Sequence, residues 1–174
     1  MARISMAEYA ELDAEGKKLY DGQVNAHGRI TNMKRTLLRS KLAFKVYMEW
    51  YDMRDEVAKF LGDFATNVFS HAISQENSCL ICSTYFRKIL IEAGKNPDSL
   101  DLDETEALVA EYGRALVSNP HSIDEALFDR LKARFTEEQI VLLTAFGGMM
   151  IATNLINNAL DVTPDNYLKD YMKK

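Results

Sequence analysis

Cys79 and Cys82 lie three positions apart in the stretch SQENSCLICSTYFRKIL, and the chain has no other cysteine. On a helix, residues three apart share a face, so the two thiols lie side by side. A helix that begins at Asn77 or Ser78 puts Cys79 in its first turn. Unpaired backbone N–H groups and the positive end of the helix dipole favour a thiolate there. A thiolate with a second thiol beside it can attack an oxidised substrate, after which the neighbour closes a disulfide. Two other readings compete. A structural zinc needs about four ligands, and the further candidates are His27, His71, His121 and carboxylates, none with finger-type spacing. No metal is expected. Free cysteines also fill cores as small apolar side chains, and the spacing alone leaves that reading open.

The elements that must position these thiols read as helices throughout. Three prolines and eight glycines interrupt the chain, and no run alternates with a period of two. Ser5 with Glu8 reads as a capping box for a helix to about Tyr20, with Gly22 to Thr31 a polar connection. Ser40 opens a helix whose Leu42, Val46, Trp50, Met53, Val57 and Phe60 recur every three or four positions. Gly62 ends it, and Asp63 caps the next, running to about Gln75. The cysteine helix follows and stops at Gly94, ahead of Pro97. Asp103 with Glu106, Ser122 with Glu125, and Thr136 with Gln139 open three more, the last running to about Leu160. Thr163 and Pro164 cap a final amphipathic stretch, DNYLKDYMKK. There are no linkers or repeats, so residues 1–174 form one all-α helical bundle.

Composition narrows the function classes. At 174 residues with 47% apolar content, the chain can bury a sizeable core. A net charge of -5 argues against a nucleic-acid partner, and the basic stretch MKRTLLRSK (Met33 to Lys41) reads as one solvated helix face. The N-terminal MARISMAEYAELDAEGKK has no apolar core of a signal peptide. IVLLTAFGGMMIATNLI (Ile140 to Ile156) is too short and too interrupted by Gly, Thr and Asn to span a bilayer, and reads as a central buried helix. A cytoplasmic protein with no membrane partner is expected, its cysteines reduced.

Three segments carry a resemblance. ISQENSCLIC looks like the segment that ends in the thiol pair of the carboxymuconolactone decarboxylase and alkylhydroperoxidase D-like superfamily. GRITNMKRTLLRS (Gly28 to Ser40) is similar to the family's Gly-x-Ile-Pro-Asn-Met stretch, with Thr31 in place of the usual proline. FTEEQIVLLTAFGGMMIATNLINNALDV (Phe135 to Val162) resembles its late helix, which ends in Asn-x-Ala-Leu. The resemblance implies an all-helical, homo-oligomeric domain built around the thiol pair, with the pair at the start of a central helix. In peroxidase-type members a glutamate about three turns before the first cysteine and a histidine four residues after the second relay protons. Here those positions hold Asn67 and Phe86, and neither can act as a base near neutral pH. Asn67, His71 and Gln75 share one face of the helix leading into the thiols. His71 is thus a candidate relocated base, or else a polar residue hydrogen-bonded to a neighbouring helix. Phe86 fills space over the sulfurs, and Tyr85 is a proton-bearing neighbour better suited to donate than to accept. Tyr47, Trp50 and Tyr51 line an apolar pocket or belong to the core or an interface.

These readings lead to a thiol-dependent oxidoreductase, a peroxidase of the alkyl hydroperoxide reductase kind. It reduces a hydroperoxide or a disulfide through a Cys79–Cys82 disulfide, needs no cofactor, and is reset by a dithiol reductant such as a dithiol protein or a lipoyl-type carrier. The resemblance favours Cys82 as the attacking thiol, and the helix dipole favours Cys79. Loss of both relay positions supports a different class, a non-catalytic oligomeric domain. A decarboxylase-type lyase is the third reading, and the retained thiols count against it.

Overall fold

Capping chemistry sets most of the helix boundaries. In the computed structural model, which describes residues 2–173, every regular element among the described residues is helical. The capping boxes at Asp103/Glu106 and Thr136/Gln139 form as expected and open α7 (Glu104–Ser118) and α9 (Glu137–Ala159). Gly62 and Gly94 close α4 (Trp50–Leu61) and α6 (Leu80–Glu92) with φ of 80° and 77°, values that favour glycine.

Elsewhere a competing polar group takes the cap. Ser5 accepts from the Arg39 guanidinium at 2.8 Å, so Glu8 precedes only a short 3₁₀ turn, Tyr9–Glu11. Asp13 then caps α1 (Ala14–His27), which runs through the expected connection to Gly28. Thr31 opens the short α2 (Asn32–Leu37). Ser40 caps α3 (Lys41–Met48) as expected, but the backbone turns at Glu49 before α4. The break leaves Leu42 and Val46 74% and 50% exposed instead of in the core. Asp124, not Ser122, accepts the first N–H groups of α8 (Glu125–Arg134). The C-terminal stretch is a 3₁₀ segment, Asn166–Tyr171, because Asp165 is engaged by the Asn32 backbone N–H at the start of α2.

α5 (Asp63–Glu76) is the axis of the bundle, packed against α4, α6, α7 and α9. Nine of its fourteen residues are buried, three of them hydroxylic. Thr66, Ser70 and Ser74 each donate to the carbonyl four residues back, at 2.7 to 2.9 Å, so burial leaves no hydroxyl unpaired. Phe69 and Ile73 reach Tyr112 and Leu116 of α7 and Phe146 of α9 in the main apolar cluster. Close approach of α9 depends on Gly147, where a Cβ would lie 2.6 Å from Leu116 Cδ1; Gly148 faces open space. α9 extends to 23 residues, longer than its apolar centre indicates, and its most apolar 18-residue window has a mean hydropathy of 1.7, so by length and composition it could cross a membrane. Within the fold it packs against α4, α5, α7 and α8.

Candidate active site

Cys79 is the residue that caps α6. Its backbone is extended, its N–H donates to Ser74 O at the end of α5, and its Sγ accepts the Cys82 backbone N–H at 3.4 Å. The helix thus starts two to three residues later than its polar signals suggest, and the sulfur takes the role a serine oxygen usually plays. Ser78, just before it, has a left-handed φ of 51°. That turn is pinned to the end of α9, because the Asn158 amide donates to Asn77 O at 3.1 Å.

The two thiols titrate as a linked pair. Donation from the Cys82 thiol holds Cys79 below the ordinary thiol range, helped by the Cys82 and Ile81 backbone N–H groups and by Asn157, against the opposing effect of burial. The same bond, followed by burial and the nearby Cys79 charge, pushes Cys82 well up. Such a pair loses its first proton readily and its second with difficulty. Asn157 Nδ2 donates to Cys82 Sγ at 3.1 Å, while its Oδ1 is buried without a partner.

Access differs between the two sulfurs. Cys79 is fully buried; Cys82 is 7% exposed and lines a cavity of about 360 Å³. Tyr47, Trp50, Tyr51, Tyr85, Phe86 and Tyr167 form much of its wall, and Trp50 and Tyr47 also pack against the apolar clusters, so the α3–α4 aromatics are both pocket and core. The two arguments fall on different sulfurs: negative charge is favoured at Cys79, and Cys82 is the one that lines the cavity.

The structure sets His71 apart from this cavity. The imidazole is 4% exposed on α5 and is not among the lining residues. Burial, then Arg87, lowers its pKa to about 4, against a smaller opposing effect of Asp98. An imidazole with that proton affinity accepts poorly from a thiol. Asn67 is half-buried and also lies outside the lining; Phe86 is 3% exposed, belongs to the main apolar cluster and lines the cavity with Cys82.

Sequence reasoning missed two residues. Asn157 left a trace, as one of the asparagines that end the apolar run of α9 at helical spacing. Lys34 left none. It belongs to the stretch read as a solvated helix face, yet it is 6% exposed and lines the cavity. Its ammonium donates to Gln23 Oε1 and Tyr51 Oη, each at 2.5 Å. Burial lowers its pKa to about 8, with Asp165 opposing. No group of three or more His, Cys, Asp or Glu among the described residues is placed to hold a metal ion.

No family sequence model matches the chain, and neither does any curated protein. Solved structures do. A variant of the debrominase Bmp8 in complex with 2,3,4-tribromopyrrole superposes with a TM-score of 0.80 at 15% identity, covering 97% of this chain and 94% of that one. A peroxidase-related protein from Silicibacter sp. TM1040 gives 0.77 at 14% identity, over 96% and 93%. An alkylhydroperoxidase AhpD core protein, also peroxidase-related, from Ralstonia eutropha JMP134 gives 0.75 at 18% identity, over 96% and 94%. The thiol pair at the start of a helix, the helical bundle around it and these near-complete superpositions agree: the chain has the alkylhydroperoxidase D-like fold.

Proposed function

We propose that the protein is a dithiol reductase in which Cys82 attacks a small electrophilic substrate and Cys79 resolves the product as a disulfide. The observation that carries this is the difference between two buried sulfurs: Cys79 fully enclosed and charge-stabilised, Cys82 on the wall of a cavity. As substrate enters, the Cys82 proton passes to Cys79 along the bond they share. With a hydroperoxide, the Cys82 thiolate takes the distal oxygen and becomes a sulfenic acid, and the alkoxide leaves to be protonated by water. Cys79 loses its proton and attacks that sulfur, expelling hydroxide. In balance, the singly ionised pair and ROOH give a disulfide, ROH and OH⁻. A small disulfide substrate would instead give one thiol and one thiolate. A cavity of about 360 Å³ suits either, and both leave the pair to be reduced by an external dithiol.

A second substrate class is favoured by the aromatic wall and by the tribromopyrrole bound in the debrominase structure. In balance, the singly ionised pair and a carbon–bromine bond give a disulfide, a carbon–hydrogen bond and bromide, the remaining thiol proton ending on carbon. On either substrate, self-association would cover Leu42, Val46, Val141 and Leu155, which are 50 to 74% exposed.

The test is intact-mass analysis of the reduced protein after one equivalent of cumene hydroperoxide, with a bromopyrrole in parallel. Loss of two hydrogens mapped to Cys79–Cys82, with stoichiometric alcohol or bromide, is expected. Thiols that stay reduced with both substrates would leave the non-catalytic reading in its place.

A further inference from the structure

The cavity has a charge pattern at odds with the rest of the molecule. The whole chain carries -5, yet the cavity lining includes Arg29, Lys34 and Lys88 against one carboxylate, Asp165. That carboxylate is occupied, accepting the Asn32 backbone N–H through both oxygens at 3.0 and 3.2 Å. Two of the cations are also occupied. Arg29 lies over the Tyr167 ring at 4.4 Å, and Lys88 is paired with Glu92. Lys34 differs. It is the most buried of the three, and no ion pair to it occurs among the described residues. Its two hydrogen bonds go to neutral acceptors, Gln23 and Tyr51. An ammonium has three donors, so one N–H is left over. Asp165 favours the charge from a distance but makes no ion pair with it; a buried cation with no directly bonded anion is costly, and a fold that keeps one gains when an anion arrives.

The walls say what kind of anion. Lys34 lies 4.8 Å from the Tyr51 ring centroid, at the hydroxyl end where it donates to Oη, and His27 stacks on that ring at 4.3 Å. Trp50 stands edge-on to Tyr51 at 5.0 Å. Flat apolar surfaces beside a fixed ammonium suit a flat molecule with one acidic group. We propose that the cavity binds a planar aromatic anion, a carboxylate, phenolate or deprotonated ring nitrogen. Lys34 is its charge-recognition residue, and the ring lies among Trp50, Tyr51 and Tyr85 within reach of Cys82. The assignment deepens the dithiol reductase reading by naming its substrate class, and it rests on that reading only for what Cys82 then does.

The test is a binding experiment, so it is separate from thiol chemistry. The full reduced chain at pH 7 is titrated with 3,5-dichlorobenzoate and with 3,5-dichlorobenzamide, which has nearly the same shape and no charge. Binding is read by calorimetry and by emission of Trp50, the single tryptophan, which lines the cavity. The acid is expected to bind at least about tenfold tighter than the amide, the size of one charge-assisted hydrogen bond. Lys34→Met should bring the two within about twofold while still binding the amide, which also shows that the cavity remains formed. Lys34→Arg should keep a preference for the acid. Equal binding of acid and amide by the wild type would overturn the assignment. So would a preference that survives Lys34→Met and is lost in Arg29→Met. If Lys34→Met does not fold, the wild-type comparison and Lys34→Arg still decide. Inert thiols with an intact acid preference would remove the redox reading alone; reactive thiols without the preference would remove this one alone.

Discussion

The Asn157 side-chain amide donates to the Cys82 sulfur at 3.1 Å, joining the last turn of α9 to the first turn of α6. Among the described residues it is the side chain from another helix that lowers the proton affinity of both thiols. The pair's acidity is therefore partly a tertiary property, set by the docking of α9.

Replacing that amide should move the thiol titration. In Asn157→Leu, the first inflection in the pH dependence of iodoacetamide alkylation is expected to shift upward, toward the ~8.5 of an ordinary thiol. In the wild type it should lie below that value. His71→Gln, by contrast, should leave the profile unchanged, since His71 does not line the cavity. An equal shift in both variants would return His71 to the relay.

The two cysteines should fail differently. Cys82→Ser is expected to lower peroxide consumption at least about 100-fold, because the remaining sulfur is fully buried. Cys79→Ser should still consume one equivalent and stop as a sulfenic acid that dimedone traps. Intact mass distinguishes the outcomes, and a trapped adduct on Cys79 in the Cys82→Ser variant would reverse the assignment.

How much of this was legible in the sequence differs by residue. The thiol pair is visible as soon as its helix is, and the boxes at Asp103 and Thr136 need only local geometry. Ser5 misleads because its hydroxyl is taken by Arg39, thirty-four residues away. Lys34 is hidden for a related reason. Its neighbours Lys41 and Arg39 are exposed or half-exposed, as the basic stretch suggests. Only the packing of α1, α4 and the C-terminal segment around α2 encloses Lys34, and no local pattern reports that.

Lys34 also has a thermodynamic signature. Its folded pKa of about 8 lies below the ~10.4 of an unfolded lysine. Between those values the unfolded chain holds the extra proton, so stability rises with pH across that window. Below about 8 the cost of burying the charge is present in full. Relative to Lys34→Met, the wild type is expected to gain up to about 3 kcal/mol between pH 7.5 and 10.5, read by urea denaturation. A constant difference would mean the ammonium is solvated.

The adjacent glycines of α9 should behave oppositely. Gly147→Ala places a Cβ against Leu116 and Phe69 and is expected to cost about 1–3 kcal/mol. Gly148→Ala meets nothing within 4 Å and should be neutral or stabilise by up to about 1 kcal/mol, through helix propensity alone. Thermal unfolding of the two variants checks the register of α9 directly.

The cavity wall holds three thioethers, Met33, Met48 and Met150, the last accepting the Trp50 indole N–H at 2.8 Å. An oxidant admitted to Cys82 therefore shares its doorway with slower-reacting sulfurs that have no partner to restore them. Each sulfoxide would lodge a polar oxygen in a dry wall and spoil the fit of the aromatic floor. On the proposed reductase reading, working lifetime would be tied to promptness: the dithiol would spare its own surroundings only by consuming what enters before the methionines do.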